Sequence, residues 1–341
     1  MKRFLVLLLI VPNVYSGFSQ QPDSLRSYYI QEYPDHFFIW PVLKQRSLTF
    51  DIQDKQETER KIEFIPNNKF TLGAGFYIFD LGFEVTFAIP LAENSKSIYG
   101  ESTARDVQLN ILSKKWGADV YYQKYSGFYI KDSDNPVPNG QPYPQRSDLT
   151  TRNFGVSGVY IFNHRKFSLR SSFTYAERQL RSRGSFLLYS TVNSFKLSAD
   201  SALLEADAQN ELGTGSGFRK LRYTTLSIAP GYSYNLVWRN FFLNGSIAIG
   251  PAHHWINYEE ESGFKRDDIS INSTSTLRLA LGYNSNRFFG GVGLSLQART
   301  VVFDNVQVTN STNLFKILVG YRFREFGILK KRVWDINPLK F

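Results

Sequence analysis

The chain contains no cysteine, and this absence removes several classes of chemistry. Disulfide cross-links, thiol nucleophiles and thiolate metal sites are all excluded. A lipoprotein anchor is excluded as well, because no cysteine follows the leader to carry the lipid. A chain of this kind suits an oxidising envelope compartment, in which backbone hydrogen bonds and not cross-links hold the fold together.

Long apolar runs are also missing. No stretch of about 18 apolar residues follows the leader, so no transmembrane helix is predicted. The first residues have a charged start, an apolar run at 4–11 and small residues before a cut after Ser19. That run is too short to cross about 30 Å of hydrocarbon as a helix. We therefore predict a cleavable signal peptide at 1–19 and a periplasmic lead-in at 20–34.

What the chain has instead is a period-two alternation of apolar and polar residues. Successive side chains of a β-strand point to opposite faces, so such a period predicts strands with one apolar and one polar face. The pattern recurs from about Lys69 to Phe323 without a separate apolar core. It predicts an all-β fold, a closed antiparallel transmembrane β-barrel with apolar residues toward lipid and polar residues toward the lumen. We place the barrel at 35–323 and a periplasmic tail at 324–341.

The connection lengths predict the topology. Single-chain bacterial barrels have an even number of strands, short periplasmic turns and long extracellular loops. Short and long connections alternate here if 179–217 is a single outer connection. That arrangement gives about twelve strands with both termini periplasmic. The strand-like segment 185–197 is then expected to project outward or to fold into the mouth of the barrel.

The alternation also assigns side chains to faces. Eight apolar residues are expected to point to lipid: Phe83, Val85, Phe87, Leu169, Phe173, Ile247, Ile317 and Val319. Six charged residues are expected to line the lumen: Glu84, Asp119, Arg170, Arg278, Arg299 and Arg322. Such side chains either tune the selectivity of a pore or pair across a closed lumen, and the sequence leaves both possibilities open.

Positive charge is in excess. The formal charge is +10, and two cations leave with the leader, so the mature chain carries about +8. This charge suits the phosphates of an anionic lipid leaflet, or is ordinary solvated charge in turns and loops. Arg178, Arg181 and Arg183 cluster near a predicted outer strand end, where guanidinium groups either contact lipopolysaccharide phosphates or belong to a solvated loop mouth, and both interpretations stay open. No nucleic-acid partner is expected.

Catalytic and metal-binding patterns are weak. The chain has four histidines, and His253 and His254 near Trp255 are the nearest to a catalytic base at the mouth. No Ser-His-Asp arrangement can be recognised from spacing alone. Adjacent residues of a strand point to opposite faces, so the pair does not make a metal site. We predict no catalytic residues, no metal and no cofactor.

Four stretches of the chain resemble an uncharacterised family of Bacteroidota outer-membrane barrels, a domain of unknown function. They are 106–129, 143–149, 153–167 and 177–188, and the similarity runs over most of the mature chain. The resemblance implies the outer membrane of a Gram-negative bacterium. The family brings no known activity, so it transfers no catalytic residues.

Three functions remain open on the sequence alone. One is a narrow or occluded channel for small polar or anionic solutes, and the second is a scaffold or accessory subunit with an envelope protein partner. A surface enzyme is the third and least supported, because no catalytic constellation is present. The aromatic end of the last strand, Tyr321 and Phe323, also predicts recognition by the barrel assembly machinery.

Overall fold

The computed structural model describes residues 24–55, 60–78 and 81–327. The predicted signal peptide at 1–19 lies outside these residues, as does most of the predicted tail. The strands are β1 (Ile30–Glu32), β2 (His36–Asp54), β3 (Lys61–Ile65), β4 (Thr71–Ile78), β5 (Leu81–Ala88), β6 (Thr103–Leu112), β7 (Trp116–Asp132), β8 (Gln145–Ile161), β9 (Glu177–Gln179), β10 (Arg183–Ser198), β11 (Phe218–Trp238), β12 (Phe241–Glu260), β13 (Lys265–Asn284), β14 (Phe288–Phe303) and β15 (Val306–Arg324). The helices are α1 (Ser24–Tyr29), α2 (Glu93–Tyr99), α3 (Arg170–Phe173) and α4 (Ala206–Leu212).

Ten strands close into an antiparallel barrel. The ring runs β2-β3-β7-β8-β10-β11-β12-β13-β14-β15, and β15 pairs with β2 to close it. Closure satisfies the backbone groups that an open sheet would expose to hydrocarbon. Strands β4, β5 and β6 are extra to the ring. The predicted count of about twelve closed strands is therefore wrong, although the class of fold is confirmed.

The connections at the two ends of the barrel do not follow the predicted alternation of short and long lengths. We call the end with the hairpins at 113–115, 239–240 and 285–287 the turn end, and the opposite end the loop end. At the turn end, β8 and β10 are joined by the long segment 162–182 and not by a tight hairpin. At the loop end, β14 and β15 are joined by a turn of only two residues, Asp304 and Asn305.

Two segments exchange the roles that the sequence predicted for them. Residues 185–197 belong to β10, which pairs with both β8 and β11 and crosses the whole wall. The expected strand around 167–175 instead folds into the lumen as a loop that contains α3. Leu169 is fully buried there, so its predicted contact with lipid is wrong, and Phe173 packs against the same buried residues. A segment whose apolar side chains face a filled lumen shows the same alternation of apolar and polar residues as a strand whose apolar side chains face lipid.

The wall is interrupted beside β3. Toward the loop end, this short strand pairs with β2 on one side and with β7 on the other. Toward the turn end, β2 pairs instead with β4, which pairs with β5. On the other side, β7 pairs there with β6. Within the described residues β5 and β6 share no ladder, so a seam runs between them. Asn67 bridges the seam on its side nearest the loop end. Its side chain donates to the Gly100 carbonyl (2.8 Å), and its backbone N–H donates to the Ser102 hydroxyl (2.7 Å).

The outer surface carries an apolar belt. Ile247 on β12 is 52% exposed and Phe87 on β5 is 74% exposed, and both point away from the lumen. Trp116 and Trp238 lie at the turn end of the belt and Trp255 lies toward the loop end, as expected for aromatic girdles at the two membrane interfaces. None of the helices among the described residues is long and apolar enough to cross a membrane.

Candidate functional site: the lumen

The loop end of the lumen is filled by an apolar cluster. The connection 199–217, which contains α4, contributes Leu203, Leu212 and other buried residues that pack with Phe64 and Phe195 from the wall. Arg146 holds this connection in place by donating to the Ala202 carbonyl at 2.7 Å. The mouth of the barrel is therefore closed at this end.

The turn end is closed by a second element, the plug, which we define as residues 162–182. Phe167 and Leu169 are fully buried and pack with wall residues of β8, β10 and β12. The N-terminal segment docks on the plug, because β1 pairs antiparallel with β9. Glu32 of β1 bonds Arg26 (2.8 Å) and Lys114 (2.7 Å). Burial raises the pKa of Glu32, but the hydrogen bonds from Lys114 and Arg26 outweigh it and hold the pKa below its ordinary value.

A buried carboxylate organises the plug. Glu177 is 1% exposed and accepts from Arg26 (2.8 Å), Arg170 (3.0 Å) and the Ser168 hydroxyl (2.5 Å). Arg170 also donates to the hydroxyl of Tyr77 on β4 at 2.8 Å. Arg170 was expected on the barrel wall, and the structure places it in α3 inside the lumen. Its charge therefore links the plug to the wall.

The wall in turn binds the plug through polar side chains. Arg322 is 1% exposed and donates to the carbonyls of Ser285 (2.5 Å) and Tyr175 (2.6 Å). Asn235 donates to the Ser168 carbonyl at 3.0 Å. The bonds to the Tyr175 and Ser168 carbonyls satisfy backbone groups of the plug, which has no regular ladder of its own beyond β9. The plug is thus fixed to β11 and β15 by directed contacts.

The arginine cluster predicted for the outer rim lies at the turn end. Arg178 donates to the side-chain oxygens of Asn240 (2.6 Å) and Asn286 (2.8 Å) in two hairpins. Arg181 stacks over the Tyr28 ring, 3.8 Å from its centroid, and Arg183 donates to the Tyr29 hydroxyl at 3.1 Å. The Arg181 contact holds α1 against the plug, and the Arg183 contact holds it against β10. The expected position at the end of the long loops is wrong, because 162–182 is not a hairpin.

Charged residues also line the inner side of the seam. Glu84 on β5 bonds Lys44 (3.1 Å) and Lys316. Across the seam, Asp106 on β6 accepts from Arg46 of β2 at 2.7 Å. Asp106 is not among the predicted lumen residues, although its position on the polar face of a regularly alternating strand is a signal that could have identified it.

A small polar cavity lies between the two closed ends. Arg278 and Arg299 reach it, and it has room for little more than a water molecule. Its other lining residues are Ser157, Tyr189, Thr191, Ser227, Ala229, Thr274, Thr276 and Gln297. Arg278 lies 3.5 Å from Asp119, so its charge has a partner. Three predicted lumen residues thereby have charged partners, Glu84 with two lysines at the seam and Asp119 with Arg278 at the cavity.

Arg299 has a different environment. It is 3% exposed, and its Nη2 donates to the Tyr121 hydroxyl at 3.0 Å. Its Nε and Nη1 have no hydrogen-bond partner, and no carboxylate among the described residues forms an ion pair with it. A buried charge is stabilised when it is paired or hydrogen-bonded, and two of the three nitrogens of this guanidinium have no such partner among the described residues.

The two adjacent histidines separate as expected for a strand. His254 is fully buried, and its Nδ1 lies 2.9 Å from the Thr225 hydroxyl. His253 faces outward, with its ring 4.5 Å from that of Trp255. No group of three metal-binding side chains is found in the described part of the chain.

Comparison with known proteins identifies the family. Residues 21–323 match the family described as a domain of unknown function, DUF4421. The chain belongs to this family. No curated protein matches the DUF4421 chain.

Among solved structures, the Escherichia coli outer membrane protease OmpT is 8% identical, covers 85% of this chain and 97% of its own, and has a TM-score of 0.42. The beta domain of the Bordetella autotransporter Brka is 8% identical, with 86% and 100% coverage and a TM-score of 0.33. The toluene transporter TodX of P. putida is 8% identical, with 86% and 91% coverage and a TM-score of 0.25. These three are outer-membrane proteins, and similarity at this level carries no argument about activity.

Proposed function

We propose that this protein is an outer-membrane barrel that is closed to free flow along its axis and holds a small inorganic anion in its lumen. Movement of both the plug and the connection 199–217 would then open a narrow anion conduit. The observation that carries the proposal is Arg299, a buried guanidinium beside a polar cavity. The closed ring and the apolar belt support the membrane location.

The charge balance at the cavity supports an anion. Removing a guanidinium from water costs several kcal/mol unless an opposite charge or full hydrogen bonding compensates it. Arg278 has Asp119 nearby, whereas within the described part of the chain Arg299 has a single hydrogen-bond partner, the Tyr121 hydroxyl. Serine and threonine hydroxyls around the cavity can turn their O–H groups toward a bound anion. The size of the space favours an ion of halide size over a larger oxyanion.

A scaffold or accessory role is the second candidate. The observation that favours it is that both ends of the lumen are filled by ordered segments, 199–217 and the plug. A barrel that never opens needs no route for a solute. We do not propose an enzyme, since the Thr225–His254 pair is fully buried between β11 and β12.

The experiment measures anion binding and conductance on the same purified protein. We expect the wild-type barrel to unfold at a higher temperature in chloride than in equimolar gluconate, and to show small or no current in a planar bilayer, with anion preference when current occurs. Arg299→Gln should remove the difference between chloride and gluconate. Lys69→Gln, which removes an exposed cation, is the matched control and should retain it.

Two outcomes would contradict the proposal. Large, stable, cation-selective currents from the wild type would show an open pore instead of a closed lumen. Equal stability in chloride and gluconate, together with silence in the bilayer, would favour the scaffold.

A further inference from the structure

A row of five cations crosses the outside of the barrel. They are direct cross-strand partners on five adjacent strands, β6, β7, β8, β10 and β11. The row consists of Arg105, Lys124, Arg152, Lys196 and Arg222. Neighbouring strands lie about 4.8 Å apart, so the row extends roughly 19 Å along the surface. We call it the cationic row.

The cationic row has no anionic partner of its own. Among the described residues, none of the five forms an ion pair with a carboxylate, and four of them are exposed. The row ends where the next two strands place Asn257 and Asp267 at the same level, 2.8 Å apart. Like charges opposite one another destabilise a sheet. A row of five therefore requires anions from outside the chain.

The position of the row identifies where those anions lie. On three of these strands the next outward residue toward the turn end is an exposed apolar or aromatic side chain, Val107 (69%), Tyr122 (42%) and Phe154 (51%). On β10 and β11 the half-buried Ser194 and Thr224 come first, and the exposed apolar residues Val192 and Leu226 follow. The apolar belt therefore begins within one or two outward positions of the cationic row. A cation at that level lies at the boundary between hydrocarbon and water, where lipid headgroups are found.

We propose that the cationic row binds the phosphate groups of lipids in the leaflet at the loop end. Arginine matches phosphate oxygens with two parallel hydrogen bonds, and lysine adds a point charge. Several phosphates on one side of the barrel would neutralise the row, while the acyl chains of the same lipids cover the belt below it. This site is separate from the lumen and does not depend on the anion proposed there.

The test uses diphosphorylated lipid A as the probe, titrated into the detergent-solubilised full-length protein and counted by native mass spectrometry. We expect the wild type to retain lipid A and to bind its dephosphorylated form at least tenfold more weakly. The triple variant R152Q/K196Q/R222Q should lose at least tenfold in affinity, and the single variant R152Q a few-fold. The control K55Q/K69Q/K265Q removes three exposed cations elsewhere and should bind like the wild type.

The arms of the test separate the possible sources of phosphate. If inorganic phosphate at the same concentration displaces lipid A, the row is a simple anion site and the proposal is wrong. Equal binding of lipid A by the triple variant and the wild type would also overturn it. Heat-modifiable migration on a gel confirms that each variant is folded, and R152Q supplies the answer if the triple variant is not.

Discussion

The Glu177 carboxylate provides the sharpest test of how the plug is held. Glu177→Gln keeps the shape of the side chain but removes the charge that faces Arg26 and Arg170 at 2.8 and 3.0 Å. Breaking a buried ion pair by removing one partner typically costs 3–5 kcal/mol. Arg26 retains Glu32 at 2.8 Å, so we take the lower limit, about 3 kcal/mol. That corresponds to roughly a hundredfold change in the ratio of docked to undocked plug.

Two measurements follow from this estimate. Limited proteolysis should cut the variant within 162–182 where the wild type is resistant, and heat-modifiable migration should show that the wall stays folded. The matched control is Glu93→Gln, whose pair with Lys96 is on the surface, with Glu93 87% exposed. Such a pair contributes less than about 1 kcal/mol, so the control should behave as the wild type. A Glu177→Gln protein as resistant to protease as the wild type would refute the assigned role of the carboxylate.

Three further predictions concern the belt, the plug core and the N-terminal segment. Ile247→Arg places a charge on the lipid face and should cost roughly 2–4 kcal/mol near the midplane, measured as the refolding midpoint in lipid; no change would contradict the assigned facing. Leu169→Ala should lower the unfolding free energy by about 2–5 kcal/mol, an effect that a lipid-facing position would not produce. Because Lys114 and Arg26 lower the folded-state pKa of Glu32, its contribution is present above the unfolded pKa and is lost as pH falls through the lowered value. Protease cleavage near residues 24–33 should therefore increase in acid, and Glu32→Gln should abolish that dependence on pH.

The alternation of apolar and polar residues predicted the class of fold because each spanning strand has lipid on one face and the lumen on the other. It could not identify the plug, since Phe167 and Leu169 alternate with Ser168 and Arg170 as in a wall strand. In the plug, the apolar side chains pack in the lumen core, whereas Arg170 and Ser172 donate to Tyr77 and Asn235 of the neighbouring strands. The same period thus arises from the opposite orientation, and the sequence alone does not distinguish the two.

The segment that forms β10 was not predicted as a wall strand, and the reason is the converse one. Its inward residues include Leu187, Phe195 and Leu197, which belong to the apolar clusters at the two ends of the lumen. Its outward residues include Ser190 and Ser194 as well as Phe186. Both faces are therefore mixed, and the contrast that marks a wall strand is weak. A lumen filled with apolar side chains weakens the alternation wherever the wall contacts the filling.

The seam and the cationic row depend on pairing between distant strands, which no local pattern contains. Lys124 and Arg152 are 28 positions apart in sequence and become neighbours only through the register of β7 with β8. Likewise, β5 and β6 each have the alternation of a wall strand, yet they do not pair with each other in the described structure. In hydrocarbon, an unpaired strand edge costs several kcal/mol for each unsatisfied backbone group. The inward ion pairs of Glu84 and Asp106 on either side therefore matter, because they hold the two edges in place where the backbone ladder does not.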